Sequence, residues 1–150
     1  MIDFRDRLVV ASTERPLEMG QEINGFNAYP HITIVPTFQL LDGTESQFDR
    51  AMQSVAEKFP TEKWPEGRGF NIRSAQAGMG RRAIILHNDL MHSISVFMNS
   101  DDENQKRRTY VPDISGKTFF PIRNLSVLAK NAYGGQRSEV IGVYELGVKR

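Results

Sequence analysis

The chain contains no cysteine, which removes thiol nucleophiles, thiolate zinc sites and disulfides together. Histidine is nearly as scarce: three residues, scattered, give no metal-ligand spacing, and the acidic pairs fall in loop-like stretches, so neither a metal nor another cofactor is expected. No apolar run is long enough to span a bilayer, and the charged start Met1-Ile2-Asp3-Phe4-Arg5-Asp6-Arg7 has no signal-peptide core. A dominant charge is missing too. Nineteen Lys and Arg face 18 Asp and Glu, a net charge of +1, which excludes a surface that coats long duplex nucleic acid and makes any anion site local. These absences, with 39% hydrophobic and 25% charged residues over 150 positions, describe one soluble, cytoplasmic domain without membrane partners. A chain of that length buries roughly two-thirds of its unfolded surface and needs no covalent staple.

What is present begins with Arg7-Leu8-Val9-Val10-Ala11-Ser12, a β-branched run read as a first strand. Residues 13 to 28 form a loop punctuated by Pro16, Gly20 and Gly25, placed to fold over a ligand. A helix follows Asp42-Gly43. Thr44 and Gln47 have capping-box spacing, and Phe48, Ala51, Met52, Val55, Ala56 and Phe59 recur with helical period before Pro60. Trp64-Pro65-Glu66-Gly67 reads as a turn-rich loop, with Trp64 at the edge of the core.

Strands are expected over Gly69 to Ala77 and Arg82 to His87, joined at Gly78-Met79-Gly80, and a second helix over Asp89 to Asn99 capped by Asn88 or Asp89. On that helix His92 falls opposite Leu90, Ile94 and Phe97, as a solvated histidine, while His87 reads as a structural one. A charge run, Asp101 to Arg108, turns from acidic to basic. Strands then close the chain at Tyr110 to Ser115, Phe119 to Ala129 and Glu139 to Leu146. Short links between the last strands argue antiparallel pairing and an α+β domain.

The chemistry concentrates in Tyr29-Pro30-His31-Ile32-Thr33-Ile34-Val35-Pro36. On a strand of period two the imidazole of His31 and the hydroxyl of Thr33 leave the same face, where one moves a proton near neutral pH and the other holds a phosphoryl oxygen. Tyr110-Val111-Pro112-Asp113-Ile114-Ser115 echoes this pattern, and Phe120-Pro121-Ile122-Arg123 echoes Phe70-Asn71-Ile72-Arg73, as in a weak duplication.

On these motifs the chain resembles the two-histidine (2H) phosphoesterase superfamily, whose signature is His-x-Thr/Ser on a strand in each of two pseudo-symmetric lobes. The resemblance implies a bilobed α+β fold, two antiparallel sheets with two helices around a central cleft. It implies His31 and Asp113 as the acid/base positions, Thr33 and Ser115 as phosphate-binding hydroxyls, and phosphodiesterase chemistry without metal. Tyr29, Tyr110 and Lys117 adjoin the motifs and are candidate ligand contacts. The compact length also resembles small phage-encoded anti-CBASS nucleases. The implied partner is a small nucleotide ligand or an RNA end: a cyclic oligonucleotide signal or a 2',3'-cyclic phosphate.

Asp113 stands where the family carries its second histidine. A carboxylate has no proton to give at pH 7 and repels phosphate. Three readings follow: Asp113 acts as the base with His31 as the acid, the cleft binds a nucleotide without cleaving it, or the position carries a deliberate inactivating change.

Overall fold

The computed structural model describes residues 7–26, 29–60, 72–99, 110–112, 120–130 and 137–148. Strand β1 spans Arg7–Thr13, β2 Glu22–Asn24 and β3 His31–Phe38; helices α1, Glu45–Lys58, and α2, Ile72–Ile94, follow; β4 is Asn124–Lys130 and β5 Arg137–Glu145. Among the described residues the strands form one five-stranded sheet in the order β2-β5-β4-β1-β3, with every pairing antiparallel.

The first helix follows its sequence pattern: Phe48, Met52 and Ala56 are buried on one stripe. Its expected capping box does not form. The Thr44 hydroxyl closes the preceding turn instead, donating to the Leu41 carbonyl at 2.7 Å.

The second helix is where sequence and structure part. The segments expected as strands at 69–77 and 82–87 are helix from Ile72 onward, and Gly78-Met79-Gly80 lies inside it rather than at a hairpin turn. The buried residues Ala75, Met79, Ala83, Leu86, Leu90 and Ile94 are spaced by three and four, a stripe over five turns whose burial outweighs about 1 kcal/mol of helix penalty per glycine. The helix expected over 89–99 is the end of α2, which stops at Ile94 and tightens into a 3-10 turn over Ser95–Phe97. Asn88 and Asp89 are therefore mid-helix rather than caps. His92 is exposed, as the helical projection requires.

Both helices pack on one face of the sheet. Leu8, Val10, Ile32, Ile34, Val35, Phe38, Leu125, Val127 and Tyr144 meet them in the main core. The opposite face carries a smaller cluster in which Val9, Ala11, Leu128 and Val140 are covered by Leu17, Ile23 and Phe26. This cover is the segment read as a loop over 13–28. It contains β2, which extends the sheet beside β5 through Glu22↔Glu139 and Asn24↔Arg137. The chain thus leaves β1, which lies between β4 and β3, crosses the face, pairs beside β5 and returns to β3 on the other side of the sheet.

The strand expected over Phe119 to Ala129 starts at Asn124, after Phe120 and Ile122 have buried their side chains. Residues 110–112 are not strand. The second sheet of a bilobed arrangement is not present among the described residues. Trp64 and the 101–108 charge run lie outside them.

Candidate functional site

The face opposite the helices carries His31 and Thr33. Register fixes this: His31 pairs with Thr13 and Thr33 with Ala11, while the intervening Ile32 and the following Ile34 enter the main core. Both motif residues are half-buried.

His31 is held from two sides. Its Nδ1 lies 2.5 Å from the Tyr29 carbonyl oxygen. A carbonyl only accepts, so the Nδ1 proton is on the donor side of this bond and Nε2 is left to take or give a proton. The ring also lies against Phe26, centroids 4.2 Å apart at 32°, and Phe26 is buried. The imidazole therefore has a fixed tautomer and a fixed plane.

The register brings two further polar residues onto this face, Asn124 and Ser126 on β4. Ser126 pairs with Ala11, so Thr33, Ala11 and Ser126 form one row across three strands. With neighbouring strands about 4.8 Å apart, the two hydroxyl-bearing residues stand roughly 10 Å from each other over an alanine. Ser126 is 0% exposed and its hydroxyl has no hydrogen-bond partner among the described residues, beneath the cover that Leu17 and Phe26 make over Ala11 and Leu128.

Asn124 lies in the row of Thr13 and His31 and bonds the Thr13 backbone on both sides. Its Nδ2 donates to the Thr13 carbonyl at 2.8 Å, and its Oδ1 accepts from the Thr13 N–H at 3.2 Å. An amide exchanges no proton at neutral pH, so this residue is structural. The signal for the pair was available in the sequence: Asn124-Leu125-Ser126-Val127 repeats the polar, apolar, hydroxyl, apolar order of His31-Ile32-Thr33-Ile34. It was missed because asparagine does no acid/base work and the Tyr-Pro context matched at 110–112.

Of the other sequence candidates, Asp113, Ser115 and Lys117 lie outside the described residues. Tyr29 adjoins His31, supplies the anchoring carbonyl and stacks on Phe26 at 6.1 Å and 15°. Tyr110 does something else. Its hydroxyl donates to the Thr33 carbonyl at 2.5 Å, and its ring stacks on His87 at 4.1 Å and 10°. Burial pushes the Tyr110 hydroxyl pKa far upward, which keeps it a donor.

His87 was expected at a strand end and sits instead on α2, where its Nδ1–H donates to the Ile34 carbonyl at 2.7 Å. Desolvation lowers its pKa, with the Ile34 bond opposing, so this histidine is neutral and structural. No group of three or more His, Cys, Asp or Glu that could hold a metal ion occurs among the described residues. No described helix is long and apolar enough to cross a membrane.

No family model and no curated protein matches the chain. Among solved structures it is similar to E. coli LigT complexed with phosphate, with a TM-score of 0.51 and 15% identity over 95% of this chain and 98% of that one. That likeness is one of fold.

Proposed function

We propose that the chain is a 2H phosphoesterase-like protein whose His31 and Thr33 face acts on a nucleotide phosphodiester. The observation that carries this is the anchoring of His31: Nδ1 is committed to the Tyr29 carbonyl, so Nε2 is the proton-transfer atom beside a hydroxyl on the same strand face. The similarity to LigT, whose structure holds phosphate, supports the same reading.

In this mechanism Thr33 holds a phosphoryl oxygen by hydrogen bond. His31 Nε2 either removes the proton from the attacking hydroxyl or water, or protonates the leaving oxygen, and the other transfer falls to a second group, for which Asp113 is the candidate. Proton transfers of this kind need no metal. The substrate class is a 2',3'-cyclic phosphate end or a cyclic oligonucleotide signal, the latter fitting a phage counter-defence role.

A second reading, a nucleotide-binding protein that sequesters its ligand, is favoured by Asn124. The polar residue in the row of His31 has no proton to exchange, and its amide is bonded on both sides to Thr13.

One experiment separates the two. The protein is incubated with cyclic dinucleotides and 2',3'-cyclic nucleotides, and the ligand is recovered after denaturation. Cleavage that falls by about 10² or more in His31→Ala supports the enzyme. Intact, tightly bound ligand excludes it for that substrate and supports the binder.

A further inference from the structure

Strand β3 is bulged beside the site. Val10 pairs with Val35 and the next residue, Ala11, with Thr33, so one step on β1 spans two on β3 and Ile34 is the extra residue. The bulge is what lets consecutive Ile34 and Val35 both enter the main core while Thr33 and His31 stay on the opposite face. Without it, a one-residue slip puts every side chain on one side of the fault onto the wrong face.

A bulge leaves backbone groups without ladder partners. Consecutive carbonyls of a regular strand point to opposite edges, yet here the carbonyls of Thr33 and Ile34 both receive side-chain donors. Tyr110 Oη–H reaches the first at 2.5 Å and His87 Nδ1–H the second at 2.7 Å. The two donor rings are stacked nearly parallel, 4.1 Å apart at 10°, so neither moves independently. They come from different parts of the chain, His87 from α2 and Tyr110 from the stretch after it, and among the described residues β3 is the edge strand they close upon.

We propose that Tyr110 and His87 are positioning residues for the site: as one stacked unit they hold the Ile34 bulge, and through it the orientation of Thr33 and His31. Neither needs to touch a ligand. The role assigns Tyr110 a place in the machinery different from the ligand contact its sequence position suggested. Its activity arm rests on the phosphoesterase-like reading; its structural arm does not.

The test reads both arms. In the ligand-free protein, cross-strand NMR contacts Thr33–Ala11 and Val35–Val10 report the register, and hydrogen exchange of the Thr33 to Val35 amides reports the hold on the bulge. In Tyr110→Phe/His87→Leu these amides are expected to exchange roughly tenfold faster or more, with the Thr33–Ala11 contact weakened, because two carbonyl partners are gone. His87→Asn, which keeps an N–H at the position of Nδ1, restores the wild-type pattern where His87→Leu does not. With a nucleoside 2',3'-cyclic monophosphate as substrate, Tyr110→Phe lowers kcat/KM roughly tenfold, and its effect shrinks in a Thr33→Ala background, where only the part exerted through His31 remains.

Unchanged register and exchange in the double variant overturns the proposal. So does a Tyr110→Phe effect of full size in the Thr33→Ala background. If the wild-type protein turns over no substrate while the double variant still loses its register, the positioning role stands and the phosphoesterase reading falls.

Discussion

The side-chain amide of Asn124 replaces a main-chain partner for Thr13. The β1 to β4 ladder runs from Arg7↔Lys130 to Ala11↔Ser126, and beyond it Asn124 supplies one donor and one acceptor to the Thr13 carbonyl and N–H, as a peptide group would. Thr13 is also the register partner of His31. The bond therefore finishes the strand against which the site is built.

Asn124→Ala leaves both Thr13 backbone groups buried and unpaired, and is expected to lower stability by about 1–3 kcal/mol. Asn124→Asp keeps the acceptor but sets a carboxylate against the Thr13 carbonyl, and is expected to lose at least as much. Urea midpoints measure both. A wild-type midpoint in Asn124→Ala means the amide bonds are not made.

His87 makes stability depend on pH in a fixed direction. Burial holds its folded-state pKa below the ordinary value of 6.5, so between those two values the unfolded chain binds more protons than the folded one. The His87 contribution is fully present above pH 6.5 and is lost as pH falls from there through the folded value. The melting temperature of the wild-type protein is expected to fall over this window, and His87→Asn to flatten the slope. Parallel profiles for the two proteins would contradict it.

How much of this was legible in the sequence depends on which residue is asked. Helix α1 was, because Phe48, Met52 and Ala56 repeat at four with no glycine among them. His31 and Thr33 were, because a two-residue spacing on a β-branched run fixes a shared face. The part of α2 before Asn88 was not: Arg82-Ala83-Ile84-Ile85-Leu86 is a short apolar run that periodicity alone does not separate from a strand, and the glycines before it resemble a turn. Only the packing of Met79, Ala83 and Leu86 against the sheet decides it. The bulge at Ile34 was also hidden, since register belongs to a pair of strands and no single strand's sequence carries it. The partner row on β4 was hidden for a chemical reason, asparagine being neither acid nor base.

On the helix side, Gly142 lies under the ring of Tyr144. A Cβ built there meets Tyr144 Cε2 and Oη at 3.1 Å, while the Tyr144 hydroxyl donates to Asp49 Oδ1 at 2.5 Å. Tyr144 is buried, and a shift of its ring away from the new methyl strains its bond to Asp49. Gly142→Ala is expected to lower stability by about 1–3 kcal/mol through overpacking and to loosen the bond to α1. In Tyr144→Phe that bond is already gone and only the ring clash remains, so the same alanine is expected to do less harm there. A double-mutant cycle on denaturation midpoints checks the coupling, and additive effects would contradict it.

The helix through 72–94 makes a prediction that the strand reading does not. Ile85 and Leu86 are adjacent and similar in size, yet on α2 the first is 53% exposed and the second 0%. Leu86 belongs to the stripe packed on the sheet and Ile85 does not. Leu86→Ala is therefore expected to lose about 2–5 kcal/mol by opening a cavity. Ile85→Ala, at an exposed helical position where alanine is the better helix former, is expected to stay within about 0.5 kcal/mol of wild type. The contrast extends one turn on, where Leu90→Ala should follow Leu86→Ala because Leu90 is also 0% exposed at i+4. Alternation at a period of two would instead group Leu86 with Ile84, which is 40% exposed. Chemical denaturation of Ile84→Ala, Ile85→Ala, Leu86→Ala and Leu90→Ala distinguishes the two periods, because only a helix makes Leu86 and Leu90 costly while leaving both isoleucines cheap.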